Sequence, residues 1–254
     1  MTSPSRQAVP GTRPEGVNSE NEAAAHVREM FGRIAPRYDL LNHLLSLDID
    51  KVWRRRVARK FSSLLCNPDA KVLDLCCGTG DLAFAFRKQA AAGAEIIGSD
   101  FVPEMLMRAR AKAIAANAAV EFVEADALAL PFAGASFDLV SCAFGLRNLA
   151  NYERGLQEIR RVLKPGGRAV ILEFAEPQGK LFGTLYRFYF KNVLPRLGGL
   201  ISGNSSAYTY LPRSVSKFPS PQDLKSQFEQ AGFSEVSFQR WTGGIVTLHV
   251  GRKT

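Results

Sequence analysis

The stretch Val72-Leu73-Asp74-Leu75-Cys76-Cys77-Gly78-Thr79-Gly80-Asp81 decides the fold. A short apolar run feeds a glycine turn, and a helix opens at Asp81, whose carboxylate is positioned to cap the first free amides. Gly78, Gly80 and Ala83 satisfy the G-x-G-x-x-G/A spacing of nucleotide-binding crossovers. That spacing fits a nicotinamide dinucleotide or S-adenosylmethionine, and charge separates the two. A pyrophosphate at the helix start would sit beside Asp81 and near Asp74, and both carboxylates repel it. S-adenosylmethionine has no phosphate. Its ammonium and sulfonium suit Asp74, while its carboxylate suits the exposed amides of Gly78, Thr79 and Gly80. A second apolar run, Glu95 to Ser99, ends in Asp100, about 20 residues beyond the glycines, where an acid accepts both ribose hydroxyls. The plain alternative is an ordinary strand, turn and capped helix that hold no ligand.

Composition bounds the rest. The 254 residues suffice for one large α/β domain with a full core. No apolar run reaches the roughly 18 residues that a spanning helix needs. Residues 1–21 are rich in Ser, Pro, Gly, Thr and Asn, carry no apolar core region and read as a disordered tail rather than a secretory signal. Residues 22–254 then form a single domain. The cysteines Cys66, Cys76, Cys77 and Cys142 contain no C-x-x-C pair, which argues against zinc and against a disulfide framework and points to a reducing cytoplasm. No metal is expected. Adjacent Cys76 and Cys77 read as small packing residues beside the turn. The formal charge of +9 suits nucleic acid or an anionic membrane surface, and composition alone does not choose between them.

Helical spacing over Glu22 to Ile34 and Leu40 to Phe61 places two or three amphipathic helices before the sheet as a cap, with a basic face at Trp53-Arg54-Arg55-Arg56. From Lys71 strands and helices alternate as far as Phe174, which predicts a parallel sheet with crossover helices. Leu163-Lys164-Pro165-Gly166-Gly167 reads as a helix stop and a turn. Gly78, Asp100, Asp126 and Ala143 all fall beyond strand C-termini and converge on one crevice at the switch point. The acid-free segment Gly179 to Ile201 interleaves aromatics with Lys and Arg, and Gly198 to Arg213 reads as a loop; residues 179–213 together are expected to be a lid and substrate insertion. Glu235 to Trp241 and Ile245 to Val250 form a closing hairpin around Thr242-Gly243-Gly244. The expected fold is α/β, Rossmann-like, with a seven-stranded mostly parallel sheet and a C-terminal antiparallel hairpin.

Several motifs are more particular. Met30-Phe31-x-x-Ile34-Ala35-x-x-Tyr38-Asp39-x-x-Asn42, the Leu73 to Asp81 loop, Ala129-Leu130-Pro131-Phe132, Phe144-Gly145-Leu146-Arg147-Asn148, Tyr208-Thr209-Tyr210-Leu211-Pro212-Arg213-Ser214-Val215 and Thr242-Gly243-Gly244-Ile245-Val246 occur in this order. Through them the chain resembles the ubiquinone/menaquinone biosynthesis C-methyltransferases, class I S-adenosylmethionine-dependent enzymes, over nearly all of Val27 to Arg252. Two positions depart from the family pattern: Ala143, where some members place a Ser that offers a hydroxyl to the cofactor, and Asp48, where glycine is common, so that a differently shaped turn is expected there.

The resemblance implies cofactor contacts from Thr79, Asp100 and the pair Asp126-Ala127, beside those that the residues themselves suggest at Asp74, Gly78, Gly80 and Ala143. It implies methyl transfer to a ring carbon of a prenylated quinol. Arg147 and Asn148 are the expected catalytic residues, Arg147 stabilising a quinolate or orienting a water and Asn148 bonding a quinol oxygen. Tyr38, Asp39 and His43 are expected to roof the pocket, and His249 is a distant candidate base. The Cys-Cys-Gly-Thr-Gly form resembles the menaquinone-type members, which implies demethylmenaquinol as acceptor. The alternative is 2-methoxy-6-polyprenyl-1,4-benzoquinol. A non-catalytic scaffold in a quinone-biosynthesis complex is a further alternative, against which intact Gly78, Gly80 and Asp100 argue. A nucleic-acid methyltransferase lacks its Asn/Asp-Pro-Pro-Tyr/Phe or Pro-Cys signature here. The partners implied are the quinol, an anionic membrane surface met peripherally on its cytoplasmic side and a second copy in a homodimer, with no nucleic acid.

Overall fold

The computed structural model describes residues 11, 17, 19–46, 48–177 and 205–254. Its centre is a seven-stranded sheet of order β3-β2-β1-β4-β5-β7-β6. The strands are β1 Lys71–Leu75, β2 Glu95–Asp100, β3 Glu121–Glu124, β4 Phe137–Ala143, β5 Leu163–Phe174, β6 Phe233–Trp241 and β7 Val246–Lys253. The first five run parallel, and β7 is antiparallel to both β5 and β6. The chain winds outward from β1 to β3 and then returns to lay β4 on the other side of β1. The switch point therefore lies between β1 and β4, where Asp74 stands opposite Ser141.

Alternation along the strands builds a core on each face. Leu73, Leu75, Val140 and Ile171 pack towards Leu156 and Phe228, whereas Val72, Leu139, Val170 and Leu248 pack towards Val57 and Phe86. The first layer carries α7 (Tyr152–Val162) and α9 (Pro221–Gln230), and the second carries α3 (Ile49–Lys60) and α5 (Asp81–Arg87). The helix α6 (Pro103–Ala115) follows β2, and the short α4 (Ser62–Leu65) precedes β1.

The N-terminal cap comprises α1 (Glu20–Ile34), a 3-10 turn and α2 (Tyr38–Ser46). The helix α1 starts two residues before the expected domain boundary at Glu22, because the Ser19 hydroxyl accepts from the Glu22 amide and fixes the end. Asp48 adopts φ 60°, the left-handed region that glycine reaches freely, and its carboxylate pairs with Lys51 at 2.7 Å. The Asp thus takes at this turn a conformation that a glycine would reach without strain.

Two further expectations are corrected. Ser205–Lys217 is a helix, α8, with Pro212 inside it, rather than the end of a loop running to Arg213. The rest of the expected lid, through residue 204, lies outside the described residues, as do most of residues 1–18. The Leu163 to Gly167 segment does not separate helix from strand. Leu163 pairs with Phe137 and the pairing resumes at Arg168 opposite Leu139, so Lys164 to Gly167 bulge from a strand already begun. Pro165 has no amide hydrogen for the ladder, and Gly166 turns the backbone at φ +79°.

Candidate active site

Two adjoining cavities lie over the C-terminal ends of β1, β2 and β4, and share Tyr38, Cys76 and Ala143. The larger is mostly apolar, with Val102, Ala127 and Leu128 in its wall and Asp100, Asp126, Gly78 and Asn148 at its polar points. The smaller contains Asp74, Thr79, Asp81 and Arg54. The backbone between them is tightly folded. Cys76 at φ 53° and Phe144 at φ 61° both take the left-handed conformation that is costly outside glycine, and a side chain at Gly145 would overlap Cys76 Cβ.

Asp74 is 1% exposed, and Oδ1 accepts from Ser141 Oγ at 2.8 Å while Oδ2 has no hydrogen-bond partner. Burial pushes its carboxyl up to about 7. A buried carboxylate with a bare oxygen, opening on a cavity, is the donor chemistry that an ammonium satisfies. Asp81, expected to cap its helix and share that work, does neither. Gly80 is the cap residue, and Asp81 is held by Lys112 at 2.6 Å with Arg54 at 4.0 Å. Those cations hold its carboxyl below the usual range despite burial, so Asp74 carries the charge argument alone.

Asp100 accepts from the Gly78 amide at 2.8 Å and the Val102 amide at 2.9 Å, one on each oxygen, and lines the larger cavity. Burial pushes it up to about 6 against those bonds. Gly78 holds φ +56° beneath the Tyr38 ring, where an added Cβ would stand 3.6 Å from Cε1. Asp126 is exposed, and Oδ1 accepts from Leu128 N at 2.9 Å; buried Ala127 follows it in the wall. Ala143 joins both cavities, as expected, and presents no hydroxyl to either.

Thr79 is tied elsewhere. Its hydroxyl donates to Asp39 at 2.5 Å, and Lys112 bridges Asp39, Thr79 and Asp81. Tyr38 roofs both cavities, Asp39 clamps the glycine loop, and His43 turns to Asp50 at 3.0 Å, where Arg54 completes a buried group. This clamp was invisible in the sequence, because Asp39 and Lys112 lie 40 and 33 residues from Thr79.

Arg147 points into the protein. It is 6% exposed, its guanidinium lies 3.1 Å from Glu173 Oε2, and its own amide donates to Glu173 Oε1 at 3.1 Å. Asn148 does line the larger cavity. Its Nδ2 donates to the Phe144 carbonyl at 3.4 Å, and its Oδ1 accepts from the Tyr210 hydroxyl at 3.1 Å. Glu173 and Tyr210 were missed: Glu173 reads as one polar residue in an apolar strand, and Tyr210 as part of a loop. His249 is excluded from the site. It is buried between Phe228 and Phe238, bonded to the Pro221 carbonyl at 2.9 Å, and burial lowers its pKa to about 4.

Residues 17–253 match the model of the ubiE/COQ5 methyltransferase family. The chain belongs to that family. Similar members include the demethylmenaquinone methyltransferase of Deinococcus radiodurans, 50% identical over 93% of this chain and 96% of that protein. Another is the demethylmenaquinone methyltransferase of Thermus thermophilus, 54% identical over 87% of this chain and 99% of that protein. Among solved structures, a SAM-dependent methyltransferase of Thermotoga maritima superposes with a TM-score of 0.63 at 17% identity, covering 89% of this chain and 99% of that one. That likeness concerns the fold. Like other members of the ubiE/COQ5 family, the chain is an S-adenosylmethionine-dependent methyltransferase, and the two cavities suit that cofactor: a bare buried carboxylate in one, and an apolar wall with Asp100 in the other.

Proposed function

We propose that this chain transfers a methyl group from S-adenosylmethionine to a ring carbon of a prenylated quinol, with demethylmenaquinol as acceptor and menaquinol as product. The carrying observation is the meeting of Asp74, Asp100 and Asn148 around one pair of cavities in a chain half-identical to two demethylmenaquinone methyltransferases. S-adenosylmethionine, when bound, supplies an electrophilic methyl on a sulfonium whose carbon–sulfur electron pair stays with sulfur. Asp74 would hold the ammonium, Asp100 the ribose hydroxyls, Gly78 and Gly80 the close backbone approach, and Asp126 with Ala127 the adenine edge.

The protein's own task is to orient the ring and ease loss of its phenolic proton. Orientation of two bound reactants contributes on the order of 7 to 11 kcal/mol to such a reaction. Asn148 stands on the cavity wall to bond a ring oxygen, and Arg147, paired with Glu173 behind it, braces the turn that carries Asn148. We place the benzoquinol second, since the menaquinone-type relatives named above carry the reading.

A polyprenyl acceptor would reside in a membrane, and on that ground we also propose peripheral contact with an anionic membrane surface. On α3, Arg55, Arg56, Arg59 and Lys60 are exposed beside Val52, itself 53% exposed. Each such base contributes about 1 kcal/mol near an anionic surface. Vesicle flotation with and without anionic lipid tests that contact, and sedimentation velocity tests the homodimer. Incubation with labelled S-adenosylmethionine and each reduced quinone in detergent, with RNA as control, tests the activity. Label in RNA alone overturns the assignment, and label in nothing returns the scaffold reading.

A further inference from the structure

Asn148 presents a carboxamide to the larger cavity, and a carboxamide can either donate to a ring oxygen or accept from a ring hydroxyl. Its partners decide which. The Phe144 carbonyl only accepts, so it requires Nδ2 on its side, at 3.4 Å. The Tyr210 hydroxyl occupies Oδ1 at 3.1 Å, and burial pushes that phenol up to about 12, so it keeps its proton and remains a donor across the working range. The carboxamide is thereby held with Oδ1 towards Tyr210, and the second Nδ2 hydrogen has no partner among the described residues.

The surrounding charges make this donor decisive. Arg147 and Glu173 both act on Tyr210, but they form a buried pair of opposite charges. Asp100 and Asp126 line the same cavity, and each disfavours a second anion there. Tyr38 and Cys76 are the other titratable groups in the wall, and α1 contributes only Ala24, Val27 and Phe31. With the cation balanced and two acids present, ionisation of an acceptor ring depends on a neutral donor held the right way round.

We propose that Tyr210 is a positioning residue: it locks Asn148 as a hydrogen-bond donor, so that the crevice favours the singly ionised acceptor ring over the neutral one. The inference rests on the quinol reading above. Loss of one phenolic proton to water raises electron density on the adjacent ring carbon, which forms the new carbon–carbon bond. The dienone so produced moves its ring hydrogen, as a proton through water, to oxygen, and one proton is released overall. Tyr210 comes from α8, and its hydroxyl reaches across to Asn148 in the 3-10 turn after β4.

The test uses 1-naphthol as an acceptor-like probe, because its ionisation is read by absorbance without turnover. On the full-length wild-type protein, bound naphthol should ionise at lower pH than on Tyr210→Phe, by about tenfold in acid dissociation constant, the size of one hydrogen bond to a charged oxygen. Asn148→Asp, which offers no donor, should likewise raise the pH at which bound naphthol ionises above the wild-type value, and serves if Tyr210→Phe folds poorly. With demethylmenaquinol, Tyr210→Phe should lower kcat about tenfold near neutral pH and recover as pH rises, with KM for S-adenosylmethionine unchanged. A merely structural role would lower kcat equally at every pH. Naphthol unshifted on wild type, or shifted equally on Tyr210→Phe, overturns the proposal. A shifted naphthol with no methylation of any quinol overturns the quinol reading instead.

Discussion

Replacing Asp74 by Asn should make the cofactor-free protein more stable and the cofactor complex weaker. Asp74 is 1% exposed with one oxygen lacking a partner, and its carboxyl is raised from 3.8 to about 7 by burial. Between those values the native state binds a proton that the unfolded chain has lost, so stability falls as pH rises through the window. A displacement of about three pH units at about 1.4 kcal/mol each amounts to about 4 kcal/mol once both states are ionised. Asn is neutral throughout and escapes that cost. Urea unfolding of both proteins should give a stability gap in favour of Asp74→Asn of about 1.5 kcal/mol near pH 5, growing to about 4 kcal/mol near pH 8. Asp100 titrates in both proteins and cancels from the difference to first order. Calorimetry above neutral pH should show the opposite sign, with S-adenosylmethionine bound more weakly by the variant, because the ionised oxygen is the ammonium's partner. A gap independent of pH, or one that favours wild type increasingly as pH rises, would refute the reasoning, since either means that the folded protein already compensates the charge.

Other perturbations separate the roles. Asp100→Ala should weaken S-adenosylmethionine binding at least about tenfold by calorimetry, through the loss of a charged acceptor. Arg147→Ala should spare that binding and depress turnover, while leaving Glu173 buried without its counter-charge at a cost of about 3 to 5 kcal/mol in denaturant unfolding. Equal loss of binding in both would show the roles to be wrongly assigned. Gly145→Ala should cost about 1 to 3 kcal/mol and disturb cofactor binding, because the new methyl overlaps Cys76 at the cavity floor. His249→Gln should keep turnover per folded molecule and the shape of the pH profile, since the imidazole sits in the core and stays neutral with a pKa of about 4. A lost limb in that profile would restore it as a base.

The sheet was legible because its signals are local: apolar runs at strand length, glycines at the turn and acids at the strand ends. Gly78, Asp100, Asp126 and Ala143 converge because all sit at or just beyond strand C-termini, a property that counting along the chain reveals. Charge pairing is not local. Asp81 looked as free as Asp74, and only packing of α6 and α3 against α5 brings Lys112 and Arg54 to it. Arg147 was expected at the cavity, and the 3-10 turn after β4 instead sets it against Glu173, a single acid in an apolar strand. Tyr210 was hidden by Pro212, a loop signal that here lies within α8. Asp48, like Cys76 and Phe144, hid its conformation behind its identity, since each takes the left-handed region usually left to glycine.

The central claim, methyl transfer to ring carbon, is tested most directly by the product itself. Purified protein, reduced demethylmenaquinone in detergent and S-adenosylmethionine carrying a carbon-13 methyl should yield a product whose labelled methyl resonates, in carbon NMR, as an aromatic ring substituent. A methyl on oxygen, or no labelled quinone under conditions where S-adenosylmethionine binds, would contradict the account.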